Sequence, residues 1–113
     1  RENFMRERVA ALAERLTREP EDAEGWRMLG RSYAVMGRHG DSRAAYGEAL
    51  KRKPDDVELL SAFADSAVKA AVGGGAPADA VAAYRRMLTL LPAGSPEHAQ
   101  IEFSLKALTG GKP

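Results

Sequence analysis

The stretch WRMLGRSYAVMGRHGDSRAAYGEALKRKP, residues 26–54, decides the fold of this chain. Large and small apolar side chains recur in its first part at spacings of three and four, which is the period of one helix face: Trp26, Leu29, Gly30, Tyr33. Gly37 is suited to cap that helix, and a second apolar face with Tyr46 and Ala49 follows before Pro54. The stretch therefore predicts two antiparallel helices joined by a short turn.

The same pattern is repeated along the chain. Pro20 and Pro54 lie 34 residues apart, and so do Trp26 and Leu60. From Pro54 to Pro92 the distance is 38 residues, so the second repeat is four residues longer than the first. The extra residues fall in the turn 73–77, where an insertion disturbs helix packing least. A period in this range indicates stacked helix hairpins.

Helical periodicity covers the whole chain, and no segment alternates apolar and polar residues long enough to predict a strand. The predicted fold class is all-α, with helices at 4–18, 23–36, 41–53, 57–72, 77–91 and 97–109. In the first helix, Phe4, Val9, Leu12 and Leu16 form one apolar stripe. We expect small residues where the two helices of a hairpin cross, namely Gly30, Ala49, Ala64 and Ala80. A leucine in place of Gly30 would therefore overpack the crossing.

Trp-x2-Leu-Gly-x2-Tyr from Trp26, followed by Ser42-x3-Tyr46, Ala49 and Pro54, resembles the tetratricopeptide repeat. The resemblance implies a solenoid of antiparallel helix hairpins stacked in a right-handed superhelix, with a concave groove for a partner protein or peptide. It implies a single domain over 1–113, with an N-terminal flanking helix, a first repeat, a lengthened second repeat and a C-terminal capping helix at 4–18, 23–54, 57–92 and 97–109.

Composition narrows the classes of function. Seventeen basic and sixteen acidic residues are interspersed and give a net charge of +1, which does not favour nucleic acid or a membrane surface as a partner. The chain has no cysteine, so disulfides and thiolate metal sites are excluded. Its apolar runs are too short to span a bilayer, and we expect no direct contact of this segment with a membrane.

No arrangement of residues typical of catalysis occurs in the sequence, and we expect neither enzymatic activity nor a cofactor or metal. Gly73-Gly74-Gly75 lacks the Lys-Ser/Thr of a phosphate-binding loop and follows a helix. His39 and His98 are expected in separate turns, without a carboxylate at metal-ligand spacing. No serine lies in a Gly-x-Ser-x-Gly context.

In tetratricopeptide repeats, positions 2, 5, 9, 12 and 13 of a repeat line the groove. Counted from Ala23 and from Val57, these are Glu24, Arg27, Arg31, Ala34 and Val35, and Glu58, Ser61, Asp65, Val68 and Lys69. Arg27 and Arg31 lie four residues apart on one helix face, where they could bind a carboxylate or the carbonyls of a helix C-terminus. The alternative is that they lie on a solvated face and pair locally with Glu24 or Asp65.

Residues 20–38, PEDAEGWRMLGRSYAVMGR, resemble more closely the repeat domain of the cytochrome c biogenesis proteins CcmI or CycH and of their relative NrfG. The helix 9–16 and the segment Asp65-Ser66-Ala67 before the glycine-rich insertion agree, and the similarity covers about residues 5–92.

That resemblance implies a periplasmic domain of a membrane-anchored parent protein. Such a domain holds the C-terminal helix of apocytochrome c and presents it to components of haem ligation. Two alternatives remain open: a tetratricopeptide scaffold in another cell-envelope assembly, and a non-catalytic domain that regulates an attached enzyme.

Overall fold

The computed structural model describes residues 2–111, and this part of the chain consists of six helices with no strand. The helices are α1 (Glu2–Arg18), α2 (Ala23–Val35), α3 (His39–Arg52), α4 (Val57–Ala70), α5 (Ala78–Leu90) and α6 (Pro96–Thr109). The predicted all-α class and the predicted number of helices are therefore confirmed. Most predicted helix ends lie within two residues of the observed ones.

Side-chain caps start α2, α4 and α6 in the same way. The side chains of Asp22, Asp56 and Ser95 accept hydrogen bonds from the backbone N–H three residues later, at Gly25, Leu59 and His98. Such a cap satisfies one of the N–H groups that the first helical turn leaves without a partner. The first helix of each hairpin thus begins at a position that the sequence itself specifies.

The expectation that both histidines lie in turns is wrong. Gly37 has a φ of 76°, and the chain re-enters a helix so directly after it that His39 is the first residue of α3. His98 lies in the first turn of α6, because Ser95 caps that helix and a proline occupies its first position. The expected lack of a nearby carboxylate is also wrong for His98, whose Nδ1 lies 3.6 Å from Oε1 of Glu102, one helical turn away.

The helices pack in chain order, and three adjoining clusters of buried side chains form the core. The first cluster joins α1, α2 and α3, and its largest members are Leu16 and Leu29. The second joins α2, α3 and α4, and its largest members are Tyr46 and Leu59. The third joins α4 and α5, with α6 packed against it, and its largest members are Leu60 and Met87. Most helices thus pack against both the previous and the following one, as expected of a solenoid. One part of the predicted α1 stripe is wrong: Phe4 is 62% exposed, because none of the described helices covers the start of α1.

Helices α2 and α3 are in close contact at Gly30. A Cβ atom on Gly30 would lie 2.9 Å from the ring of Tyr46, which is too short for a non-bonded carbon contact. Beside this crossing, the buried hydroxyl of Ser42 donates a 2.7 Å hydrogen bond to the carbonyl oxygen of Gly30, and its oxygen lies 2.9 Å from Oγ of Ser66 on α4. Since the Ser42 proton is used on Gly30, Ser66 donates to Ser42. One hydroxyl pair therefore links α2, α3 and α4.

We predict that Gly30→Ala and Gly40→Ala change stability in opposite directions. The new methyl group at Gly30 meets Tyr46, so we expect a loss of about 1–3 kcal/mol, and a larger loss for Gly30→Leu. Gly40 also lies in a helix but has open space around it, so Gly40→Ala should be neutral or stabilise by up to about 1 kcal/mol. Urea unfolding followed by circular dichroism measures both. Equal effects of the two variants would contradict the close crossing.

Candidate peptide-binding groove

Residues of α4, α5 and α6 line one open surface of the structure. Between α4 and α6 lies a cavity of about 450 Å³. Three of the predicted groove residues line it from α4, namely Glu58, Ser61 and Asp65, and they are joined there by Tyr84 of α5 and by residues of α6. The structure therefore brings three of the five predicted residues of the second repeat together, and Val68 and Lys69 do not line this cavity. The groove that they form is bounded on its far side by α6.

Two tyrosines of the second helices, Tyr46 in α3 and Tyr84 in α5, lie close enough to Asp65 for its negative charge to raise their pKa values. Burial raises the pKa of the Tyr84 phenol, and the Asp65 carboxylate raises it further. Burial likewise raises the pKa of Tyr46, although the charges of Arg31 and Arg27 oppose the shift there. Both phenols are therefore neutral around pH 7 and can donate a hydrogen bond to a ligand.

Arg27 is engaged within the structure. Its guanidinium lies 2.6 Å from Oδ2 of Asp56, the residue that caps α4, and 3.2 Å from Oε2 of Glu24. The side chain is 28% exposed, and Glu58 is a third carboxylate at 4.0 Å. Arg27 therefore joins the first repeat to the second. Its partner Asp56 was not foreseen from the sequence, which suggested only Glu24 or Asp65.

Arg31 differs from Arg27 although it lies only one turn further along α2. Its side chain is exposed, and it forms no ion pair with any of residues 3–111. Its charge nevertheless acts on the Tyr46 phenol, as does that of Asp65 on α4. A cation from the first repeat and an anion from the second thus lie near the same neutral hydroxyl. Of the two arginines, Arg31 is the one whose guanidinium is available to a ligand.

The other predicted groove residues are divided between the groove and its surroundings. Glu24 pairs with Lys53 at 3.1 Å, and Lys69 pairs with Asp65 at 3.0 Å. Ala34 is half-buried, while Val68 packs against the core cluster of α4 and α5. Val35 is 71% exposed and lies away from the α4–α6 cavity, in a separate cavity of about 560 Å³ with Met5 and Arg6 of α1.

Sequence reasoning missed the contribution of α5 and α6, whose residues Tyr84, Gln100, Ile101 and Ser104 line the cavity. The repeat pattern gives groove positions only for the repeats that begin at Ala23 and Val57, and it predicts α6 as a cap. Two signals were present. Ser95 caps α6 as Asp22 and Asp56 cap α2 and α4, and Tyr84 repeats Tyr46 at the 38-residue spacing of the longer repeat.

Nothing in the described part of the chain adds a metal or membrane site to this groove. Within residues 2–111, no group of three or more His, Asp or Glu side chains could hold a metal ion. The pair of His98 with Glu102 has only two such groups. None of the helices in this range is long and apolar enough to cross a bilayer.

A stack of helix hairpins with an open inner surface defines a class of proteins, the helical-repeat modules that bind other proteins. A comparison with known protein families identifies the repeat: the profile described as "Tetratricopeptide repeat" matches residues 7–57 and 27–99. These matches cover most of the chain, which belongs to the tetratricopeptide repeat family. Domains of this family are generally non-catalytic protein-interaction modules. A search among curated proteins found no match.

We predict that the two arginines of α2 differ in their effect on stability. Arg27→Met keeps most of the side-chain volume but removes the charged hydrogen bond to Asp56, so it should cost about 1–2 kcal/mol at pH 7. The matched change Arg31→Met should cost less than about 0.5 kcal/mol, since Arg31 is exposed and forms no ion pair in residues 3–111. Urea unfolding at pH 7 measures both values. Equal losses would show that Arg27 does not hold the repeats together.

The difference between wild type and Arg27→Met should also depend on pH. Burial raises the pKa of Asp56, but the N–H of Leu59 and the guanidinium of Arg27 outweigh it and hold the pKa below the ordinary value of 3.8. A lowered pKa stabilises the fold above pH 3.8, and this contribution is lost as the pH falls through the folded-state pKa. The stability gap between the two proteins should therefore narrow below about pH 4. A gap that is constant from pH 7 to pH 2.5 would contradict the ion pair.

Proposed function

We propose that this domain captures an amphipathic helix of a partner protein in the groove between α2, α4 and α6. We propose further that the partner is the C-terminal helix of apocytochrome c, held for haem ligation during c-type cytochrome biogenesis. The resemblance of residues 20–38 to the CcmI, CycH and NrfG proteins supports the proposal that the partner is apocytochrome c. It also supports a periplasmic location as part of a membrane-anchored parent protein.

The observation that carries the proposal is the exposed guanidinium of Arg31 near the neutral Tyr46 phenol, which the Asp65 carboxylate of α4 also approaches. The C-terminal end of a helix presents carbonyl oxygens with partial negative charge, and a chain terminus adds a carboxylate. A guanidinium can bind either group through two parallel hydrogen bonds. Asp65 and Glu58 would bind a cation further along the same ligand. Ile101 would contact its apolar face.

Two other functions use the same surface. In a scaffold of another cell-envelope assembly, the groove would bind a different helix by the same chemistry. In a regulatory domain, it would bind a segment of an attached enzyme. The exposed Arg31 favours ligands with an anionic end in all three cases. A substitution in the groove therefore tests the binding surface, whereas the identity of the partner is tested by comparing peptides of different sequence.

The proposal predicts binding of a labelled peptide that reproduces the last 20 or so residues of an apocytochrome c. Arg31→Glu reverses the charge that meets the anionic end, so it should weaken binding at least tenfold in fluorescence anisotropy, about 1.4 kcal/mol. Arg85→Glu is the matched control, because Arg85 is an exposed arginine of α5 outside the groove. It should change the affinity less than twofold. Equal effects of both variants would argue against the groove.

A second peptide separates the partner from the groove. It has the same length, net charge and helical amphipathicity as the apocytochrome peptide but a shuffled order of residues. We expect it to bind at least tenfold more weakly. If both peptides bind equally and both depend on Arg31, the groove assignment stands and the apocytochrome proposal fails. If neither binds, both fail.

A further inference from the structure

A second apolar surface lies at the α1 edge of the stack, away from the α4–α6 cavity. We call it the α1–α2 seat. It is a cavity of about 620 Å³ whose lining includes Phe4, Met5, Arg8, Leu12, Met28 and Ser32. Phe4 is 62% exposed, Met5 45% and Met28 59%, so three of the six large apolar side chains that are exposed in the described part of the chain lie together here. Exposed apolar side chains that adjoin in this way mark an interaction surface.

The structure itself shows what covers the equivalent surface one repeat further on. Thirty-four residues after Arg8, Ala11 and Leu12 of α1 come Ser42, Ala45 and Tyr46 of α3. The same step leads from Ser32 of α2 to Ser66 of α4. All four of these later residues are buried, with exposed fractions of 0%, 3%, 8% and 3%. The residues that line the open seat therefore correspond to residues that another helix covers within the stack.

That covering helix is α2. Ser42 donates its hydroxyl proton to the Gly30 carbonyl, Ser66 bonds to Ser42, and the Tyr46 ring lies against Gly30. The seat thus has the form of the surface on which α2 lies. Its natural occupant is a helix that runs antiparallel to α1 and carries a small residue over Leu12, the counterpart of Tyr46.

The seat differs from the internal surface by being charged. Arg8 and Arg15 stand where the next repeat has Ser42 and Ala49. Arg15 is held by Asp22 at 3.1 Å and by Glu19 at 3.4 Å. Asp22 is the counterpart of Asp56, which receives its cation from the preceding first helix. At this edge the cation that pairs with Asp22 is Arg15 of α1, so Asp22 has an ion-pair partner without a further helix. Polar rims of this kind are typical of interfaces between separable partners.

Arg8 determines the charge of the occupant. Its guanidinium carbon lies 5.6 Å from the ring centre of Phe4, and it forms no ion pair within residues 3–111. Arg6 adds a second cation in the adjoining cavity, whereas Arg38 in that cavity is paired with Asp41 at 2.7 Å. A second copy of the chain that presented the same edge would bring these cations together. A helix with a carboxylate facing Arg8 would instead be attracted.

We propose that the α1–α2 seat docks an amphipathic α-helix of a partner protein, with a small residue at the crossing and a carboxylate toward Arg8. This site is separate from the groove and does not depend on its ligand. It would allow the domain to hold one protein in the groove and another at its edge.

The chain provides the probe for this proposal. A labelled peptide of residues 20–37 reproduces α2, and Ala34→Glu in the peptide adds a carboxylate one turn beyond Gly30 on the same face. We expect this peptide to bind the intact domain. A second peptide that also carries Gly30→Leu cannot make the close crossing, and it should bind at least tenfold more weakly in fluorescence anisotropy. Equal affinities of the two peptides would overturn the proposal.

Variants of the domain locate the binding. Met28→Glu places an acid in the seat at an exposed position and should weaken the acidic peptide at least tenfold. The matched control is Phe103→Glu, since Phe103 is another exposed apolar residue, in α6 at the other end of the stack, and the change should leave the affinity within twofold. Arg8→Gln should remove the preference of the domain for the peptide with Ala34→Glu over an otherwise identical peptide that keeps Ala34. Equal losses from Met28→Glu and Phe103→Glu would show non-specific apolar contact and refute the seat.

Sedimentation velocity tests the competing occupant. We expect the domain to remain a monomer at the concentrations of the binding assay. A dimer that Met28→Glu dissociates and Phe103→Glu does not would assign the seat to a second copy and overturn the proposal of a partner helix.

Discussion

The close crossing of α2 and α3 at Gly30 is the constraint on which the rest of the structure depends. A hydrogen in place of a side chain lets Tyr46 lie directly against the α2 backbone, and Ser42 then reaches the Gly30 carbonyl. Because Ser42 also pairs with Ser66, the same contact fixes α4 against the first hairpin. The faces of these helices that do not pack in the core lie on one side of the stack, where they form the groove.

The two arginines on the inner face of α2 differ in role, because one is held in ion pairs within the fold and the other is exposed. Arg27 is held among Asp56, Glu24 and Glu58, and it ties the cap of α4 to the first repeat. Arg31, one turn later, keeps its charge exposed. Two like charges four residues apart repel slightly on a helix. The three carboxylates around the first arginine offset that repulsion, so the second can remain exposed without a partner in the described range.

The sequence predicted the helices and the repeat well because their causes are local. Periodicity, the acidic caps at Asp22 and Asp56 and the glycine after α2 all act within a few residues. The groove was predicted less completely, because side chains meet there from helices far apart in sequence. Nothing local indicates that Arg27 reaches Asp56, 29 residues away, or that Tyr84 lines the surface between α4 and α6. The position of Val35 beside α1 likewise depends on how the hairpins stack.

The most direct test of this account is the amide chemical-shift map of the domain titrated with its peptide ligand. If a partner helix lies in the groove, the largest changes should occur at Arg31, Ser61, Asp65 and Ser104. The outer faces of α3 and α5 should be unaffected. Changes confined to those outer faces would contradict the central claim that the first helices of the hairpins form the binding surface.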